Sequence, residues 1–206
     1  LCCLATWDLP IHLVVSERND PALQKLDRVW DLLRRLCYRR ADVVTANTEG
    51  VIQSLSRMGC WRRLELLPNP LPMALAHNSI SAEPGLRGKE VLALARLQPQ
   101  KGLDLLLRAF ASMDLSSRQG WRLTLVGEGP ERTNLERLCN DLELNEVVHF
   151  EGFRSDPHTF LRRASIFVLP SRFEGMPNAL LEAMASGLPS VVSDASPGPL
   201  EMVHDG

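Results

Sequence analysis

The chain has 206 residues, enough for one large domain or for one domain and part of another. Its composition, 45% hydrophobic and 23% charged with a formal net charge of −2, excludes a disordered chain and a binder of polyanions, so nucleic acid is not an expected partner. No uncharged apolar run approaches the roughly 20 residues needed to cross a bilayer, and Leu1-Cys2-Cys3-Leu4 brings neither an initiator methionine nor a basic segment leading into a signal core, so the chain reads as cytoplasmic and shortened at its front.

The first predicted element is the apolar run Ile11 to Ser16, a buried strand ended by the polar cluster Glu17-Arg18-Asn19-Asp20-Pro21. Leu26, Val29, Trp30, Leu33, Leu36 and Cys37 then recur at helical spacing and predict an apolar stripe facing inward, with Arg34, Arg35, Arg39 and Arg40 crowding the end of the helix. A strand over Ala41 to Ala46, a helix over Thr48 to Met58 closed by Gly59, and a strand over Leu64 to Leu67 follow. Pro68-Asn69-Pro70-Leu71-Pro72 can continue neither a helix nor a central strand, because each proline fixes φ and removes a donor. The expected organisation is therefore a first domain over 1–70, a linker over 71–88 and a second domain over 89–206.

From residue 89 onward, strands and helices alternate. Strands are predicted at Glu90 to Arg96, Trp121 to Val126, Glu146 to Phe150, Ser165 to Pro170 and Pro189 to Ser193. Helices are predicted at Leu103 to Met113, Glu131 to Leu142, Pro157 to Ala164, and Pro177 to Ser186 with Gly187 at its stop. This alternation implies an α/β domain with a doubly wound parallel sheet and a ligand at the carboxyl ends of the strands. The five cysteines (Cys2, Cys3, Cys37, Cys60, Cys139) form an odd set with no Cys-x-x-Cys pair, which reads as reduced, mostly buried thiols rather than a disulfide framework or zinc knuckle.

Four strand-to-helix loops gather unusual residues. In the first, Arg96 and Lys101 flank a turn into a helix, and such a pair suits a diphosphate, or else is two solvated surface charges. In the second, Gly127-Glu128-Gly129-Pro130 lets backbone approach a ligand closely, or is simply a tight connection. Glu151-Gly152-Phe153-Arg154 offers a third rim, with Phe153 read equally as core or as a neighbour of a base. The fourth, Ser171 to Glu182, carries Glu174 and Glu182 with seven residues between them, at the start of a helix whose opening amides (Met176, Asn178, Ala179, Leu180) favour an anion. At 1.5 Å per residue the two carboxylates would stand roughly 7 to 8 Å apart along the axis, spanning the sugar and ribose ends of a nucleotide sugar, unless they only complement the helix dipole. The whole reading supposes that Arg96, Lys101, Glu174 and Glu182 converge on one rim of the second sheet.

These residues together resemble glycosyltransferase family 4, whose fold is the GT-B pair of Rossmann-like domains. The resemblance rests on Leu67-Pro68-Asn69-Pro70, Ala95-Arg96-Leu97 with Lys101-Gly102, Val126 to Pro130 and Phe150 to Phe153. Above all it rests on Pro170-Ser171 through Glu174-Gly175 to Leu181-Glu182-Ala183-Met184-Ala185 and Gly187-Leu188-Pro189. It implies a retaining transfer of a hexose or N-acetylhexosamine from a nucleotide diphosphate sugar to a glycan or lipid-linked acceptor. UDP donors are expected first and GDP-mannose second.

Arg96 and Lys101 would then neutralise the diphosphate, Glu174 hold hydroxyls of the sugar and Glu182 the ribose. Gly127, Gly129, Gly152, Phe153, Arg154, Gly175, Met176, Asn178, Ala179 and Leu180 would complete the donor site. No metal and no other cofactor is implied, since cations and helix amides supply the charge stabilisation. The resemblance also implies missing elements at both ends, and hence an inactive isolated chain. Where many members carry a histidine after the first strand, this chain has Ser16-Glu17-Arg18-Asn19-Asp20-Pro21, so Glu17 and Arg18 are the acceptor-side candidates. A related phosphorylase or epimerase, or a nucleotide-binding module without catalysis, are the competing readings. Arg34, Arg35, Arg39, Arg40, Arg62 and Arg63 read as a solvated basic face, with peripheral contact to anionic lipid as the alternative.

Overall fold

A computed structural model describes residues 2–24, 26–71 and 87–204. The chain forms two compact units. The first comprises Leu1–Pro70, Phe173–Pro177 and Asp194–Gly206, and the second Leu71–Arg172 and Asn178–Ser193. Most of the expected linker, 72–86, lies outside the described residues.

In the first unit, β1 (Val14–Glu17), β2 (Val43–Ala46) and β3 (Leu64–Leu66) form a parallel sheet in that order. The described helices of this unit are α1 (Cys2–Ala5), α2 (Arg28–Tyr38), α3 (Glu49–Met58) and, from the last segment, α9 (Pro197–Leu200). β2 is a run of β-branched and small residues, and its Val44 and Ala46 are almost fully buried in one cluster with Ala41, Val51 and Leu55. α3 is capped as its sequence suggests, Thr48 Oγ1 accepting from Val51 N–H at 3.3 Å.

A second cap comes from far along the chain. The Glu201 carboxylate accepts the N–H groups of Glu49 (2.9 Å) and Gly50 (2.6 Å), placing a negative charge where the helix has unpaired donors. Contacts of this kind are why 194–206 groups with the first unit, although the sequence reading had carried one domain from 89 to 206 without interruption.

The expected inward stripe of α2 is overturned. Val29 is 67% and Trp30 52% exposed, Leu26 and Leu36 are exposed as well, and of the named residues Cys37 alone is buried. Arg34 takes the inner face instead, only 9% exposed, with its guanidinium 2.7 Å from Asp31 and 3.8 Å from Glu17, and a further bond to the Pro21 carbonyl. A charge can occupy that face because carboxylates surround it; periodicity alone does not reveal such a partner.

Of the expected solvated basic face, Arg35, Arg39, Arg62 and Arg63 are exposed, Arg40 is half-buried and Arg34 is the buried departure. Arg35 pairs with Asp31 and Arg62 with Asp42, Arg63 pairs with Glu65, and Arg40 donates to the carbonyls of Thr6, Trp7 and Leu9. Cys3, Cys37 and Cys139 are free and buried, whereas Cys60 is free and exposed.

The second unit is a five-stranded, wholly parallel sheet. Its strands are β4 (Glu90–Leu94), β5 (Arg122–Val126), β6 (Val148–Gly152), β7 (Ile166–Leu169) and β8 (Ser190–Val192), ordered β6-β5-β4-β7-β8. The connecting helices are α4 (Leu103–Ser112), α5 (Leu115–Arg118), α6 (Arg132–Asp141), α7 (His158–Arg163) and α8 (Asn178–Ala185). The core over β4 and β5 is aliphatic, with Leu107, Leu123 and Leu144 fully buried. Glu90 is the buried exception, accepting from Thr124 Oγ1 (2.6 Å) and pairing with Arg163 (3.0 Å). α8 stops where expected: Gly187 has φ of +64°, and Leu188 N–H reaches back to the Ala183 carbonyl at 3.0 Å.

The chain winds from β4 outward to β6, then returns to the other side of β4 at β7. The order of winding therefore reverses between β4 and β7, and a doubly wound sheet opens its ligand crevice at the carboxyl ends of such a pair. Gly127, at φ of +140°, closes directly on the Ala95 carbonyl of the β4 exit, leaving no room for a Cβ. Gly127→Ala is thus expected to cost about 1–3 kcal/mol or more in thermal unfolding. Gly88→Ala, which meets nothing within 4 Å, is expected to stay within about 0.5 kcal/mol of wild type.

Candidate functional site

The exit of β4 runs through Ala95 to Gln98 and a 3₁₀ turn at Pro99–Lys101, then reaches α4 through Gly102, which adopts φ of +62°. Arg96 is exposed and, among the described residues, no protein group engages its guanidinium; Lys101 is half-buried. Leu97 between them is 1% exposed and pins the loop. Its N–H donates to Glu128 O at 2.9 Å, and its carbonyl accepts from Glu131 N–H at 3.0 Å.

The exits of the neighbouring strands are bonded to this one. Gly127 N–H donates to the Gly152 carbonyl (2.8 Å), and Arg172 N–H, beyond β7, donates to the Gln100 carbonyl (2.8 Å). Four loops distant in sequence therefore form one hydrogen-bonded rim on the second sheet. Gly127 and Gly129 fit there because protein backbone approaches them, from Ala95 and Leu97 respectively. Gly152 has φ of +70° at a bulge where the β5–β6 register shifts, and a Cβ there would stand only 2.8 Å from the Glu128 carboxylate. Glu128 in turn is held by Arg132 at 2.7 Å.

Beyond β6, Phe153 is 77% exposed and therefore is not part of the core. Arg154 beside it is paired with Glu151 at 2.7 Å.

Arg172, quoted in the sequence without a role, is a brace of the rim. It donates to the Pro99 carbonyl (2.6 Å) and grips Asp104 through both guanidinium nitrogens (2.8 and 2.7 Å). The guanidinium holds the Asp104 carboxyl below the usual carboxylate range. This fork was not legible in sequence, because its partners stand 68 residues apart.

The connection from β7 to α8 divides between the units. Asn178, Ala179 and Leu180 open α8 with Leu180 fully buried, and Glu182 lies half-buried on the same helix. Burial pushes the Glu182 carboxyl above the usual carboxylate range, a shift that nearby His158 partly offsets. Glu174 belongs to the first unit and is four residues ahead of α8, so the helical spacing expected between the two carboxylates does not apply.

Glu174 is 5% exposed, and its N–H donates to Ser196 Oγ at 3.0 Å. Gly175 packs against the Arg18 carbonyl and Asn47 Oδ1, and Gly198 against the Gly175 carbonyl. Met176 receives Asn69 twice, its carbonyl from the side-chain amide (2.8 Å) and its sulfur from the backbone N–H (3.2 Å). Ser196 and Gly198 had no place in the sequence reading, and no local signal distinguishes them from loop residues.

Of the acceptor-side candidates, Glu17 is 8% exposed and accepts from Tyr38 OH at 2.9 Å, while Arg34 stands near the same oxygen. Burial, reinforced by that carboxylate, drives the Tyr38 hydroxyl well above its ordinary pKa. Arg18 turns its guanidinium to Asn69 Oδ1 at 2.6 Å.

The sequence model for glycosyl transferases group 1 matches residues 79–206. The chain is 32% identical over 185 residues to a lipopolysaccharide core biosynthesis glycosyltransferase, LpsE of Rhizobium meliloti, covering 88% of this chain and 53% of that protein. It is 26% identical to an N-acetylgalactosaminyltransferase of Campylobacter jejuni that acts on a diphospho-undecaprenol glycan, covering 94% of this chain and 54% of that one. Among solved structures, Anabaena HepE in complex with UDP and glucose superposes with a TM-score of 0.83 at 22% identity, over all of this chain and 58% of that one. The chain thus spans about half the length of the curated relatives it matches. Its fold is of the GT-B type, with Rossmann-like parallel sheets. The chain belongs to the glycosyl transferases group 1 family.

The direction of the Glu182 shift gives a sign for the effect of pH. Folding disfavours the charged carboxylate, so its contribution is most favourable below the ordinary glutamate pKa and is lost as pH rises through the raised one. Glu182→Gln is expected to raise the melting temperature at pH 7, and the difference should vanish once wild-type Glu182 is protonated. A pH series of thermal melts on both proteins checks this.

Proposed function

We propose that the protein carrying this chain is a retaining glycosyltransferase. It moves a hexose or N-acetylhexosamine from a nucleotide diphosphate sugar, UDP-linked in the first instance, to a glycan or lipid-linked acceptor. The observation that carries this reading is the rim at the β4–β7 reversal, where Arg96 is exposed and, among the described residues, its guanidinium is unengaged. Family membership supports it, as do the envelope-polysaccharide roles in the names of relatives such as LpsE and the amylovoran glycosyltransferase AmsD of Erwinia amylovora. The Anabaena neighbour in complex with UDP and glucose points to the donor.

In this reading Arg96 and Lys101 meet the diphosphate and neutralise the charge that builds on it as the glycosidic bond breaks. The opening amides of α8, from Asn178, Ala179 and Leu180, supply further donors to the same anion. Glu182 accepts from the ribose hydroxyls, which would repay the burial of its carboxylate, and Glu174 accepts from hydroxyls of the sugar. Gly127, Gly129 and Gly152 keep the rim low enough for the nucleotide to lie across it, with Phe153 and Arg154 at its base end. Gly175 and Met176 carry Glu174. The departing phosphate oxygen takes the acceptor's proton on the face it leaves, which retains configuration. Because the 206 residues span about half of each relative, they are proposed to bind donor nucleotide without transferring sugar.

Calorimetry with UDP tests the anion assignment. Loss of a hydrogen bond to a charged group costs about 1.5–3 kcal/mol, so Arg96→Ala or Lys101→Ala should weaken UDP binding by about 10- to 10²-fold, Arg96→Ala with an unchanged melting temperature. Equal UDP affinity in both variants would defeat the assignment. A thermal-shift panel of UDP-glucose, UDP-galactose, UDP-N-acetylglucosamine and GDP-mannose identifies the preferred donor.

A further inference from the structure

We infer that Asn69, oriented by Arg18, is a positioning residue for Glu174, an inference that rests on the sugar-binding role of Glu174 given above. The segment Phe173–Pro177 contains no helix or strand, and Pro177 has no N–H to donate, so its place depends on bonds from other parts of its own unit. Asn69 makes two of them, both to Met176, two residues beyond Glu174: the amide Nδ2 to the carbonyl at 2.8 Å and the backbone N–H to the sulfur at 3.2 Å.

The side-chain amide can serve Met176 only if its nitrogen faces that carbonyl. A guanidinium has donors and no acceptor, so Arg18, 2.6 Å from Oδ1, selects the orientation that leaves Nδ2 for Met176. The Arg18 backbone contributes as well, since its carbonyl lies against Gly175 and accepts from Asn47 Nδ2 at 3.3 Å.

Asn69 is suited to this by its neighbours. Pro68 has a fixed φ, and Pro70 restricts Asn69 itself to extended backbone, so the amide is held on a stiff stem. Glu174 is 5% exposed, so a displaced segment has little slack in which its carboxylate can recover its aim. A misplacement of about 1 Å is enough to cost about 10²-fold in rate.

The experiment uses the full-length protein and the nucleotide sugar giving the largest thermal shift in the panel above. Asn69→Asp keeps an acceptor for Arg18 but turns an oxygen toward the Met176 carbonyl. Arg18→Ala frees the amide to rotate and serves as the second variant should Asn69→Asp fold poorly. Asn69→Asp is expected to lower kcat by about 10²-fold while leaving UDP affinity and melting temperature unchanged. In a Glu174→Gln background it should have no further effect, because both changes act through one carboxylate.

An Asn69→Asp and Arg18→Ala pair with wild-type kcat, beside an impaired Glu174→Gln, would overturn the inference and leave the proposed function standing. So would an equal loss in both backgrounds, or a loss of UDP affinity matching the loss of rate. A Glu174→Gln enzyme with wild-type kcat would instead remove the role of Glu174, and the inference with it.

Discussion

The rim of the second sheet depends on backbone bonding between strand exits that are far apart in sequence. Leu97 takes both a donor and an acceptor from the β5–α6 loop, Gly127 reaches the Gly152 carbonyl, and Arg172 N–H closes on Gln100. These bonds require the chains to approach more closely than a Cβ permits at Gly102, Gly127 and Gly129, where the neighbouring atoms are the carbonyls of Pro170, Ala95 and Leu97. The glycines of a nucleotide-binding loop are commonly read as space for a ligand. Here they make room for other backbone.

Charge is arranged in the same order of priority. Arg172, Arg132 and Arg163 are committed to Asp104, Glu128 and Glu90, which brace α4, α6 and the foot of β4. The two exposed pairs, Arg172–Asp104 and Arg132–Glu128, contribute little to stability, but they set which cations are already committed to protein partners. Arg96 is not among the braces. Glu182 lies at the other extreme, a carboxylate whose burial is unfavourable to its charge.

In the first unit the corresponding constraint is the anchoring of Phe173–Pro177. Ser196, Gly198, Asn69 and the Arg18–Asn47 pair all bear on five residues with no regular structure of their own. Glu201 ties the 194–204 segment to the start of α3 by accepting hydrogen bonds from two backbone N–H groups, so that the group holding Glu174 is itself fastened to a helix. The segment that carries this buried carboxylate is bonded at Met176 by Asn69, 107 positions away along the chain.

Alternation of apolar runs with amphipathic segments was enough to find the parallel α/β design, the strand-to-helix loops and the stop at Gly187, because period, turn chemistry and glycine conformation act within a few residues. The motifs around Arg96, Gly127 and Glu182 were legible for the same reason. The face of α2 was not, since Arg34 goes inward only where Asp31 and Glu17 meet it, and Glu17 arrives from another strand. Nor was the division of the β7–α8 connection, in which Glu174 and Glu182 belong to different units although eight positions separate them. Local rules act along the chain, and the sequence by itself determined what they control. The partners of Arg34, Arg172, Asn69 and Glu174 were decided by tertiary structure alone, because a hydrogen bond or ion pair between distant segments leaves no period or spacing in the sequence.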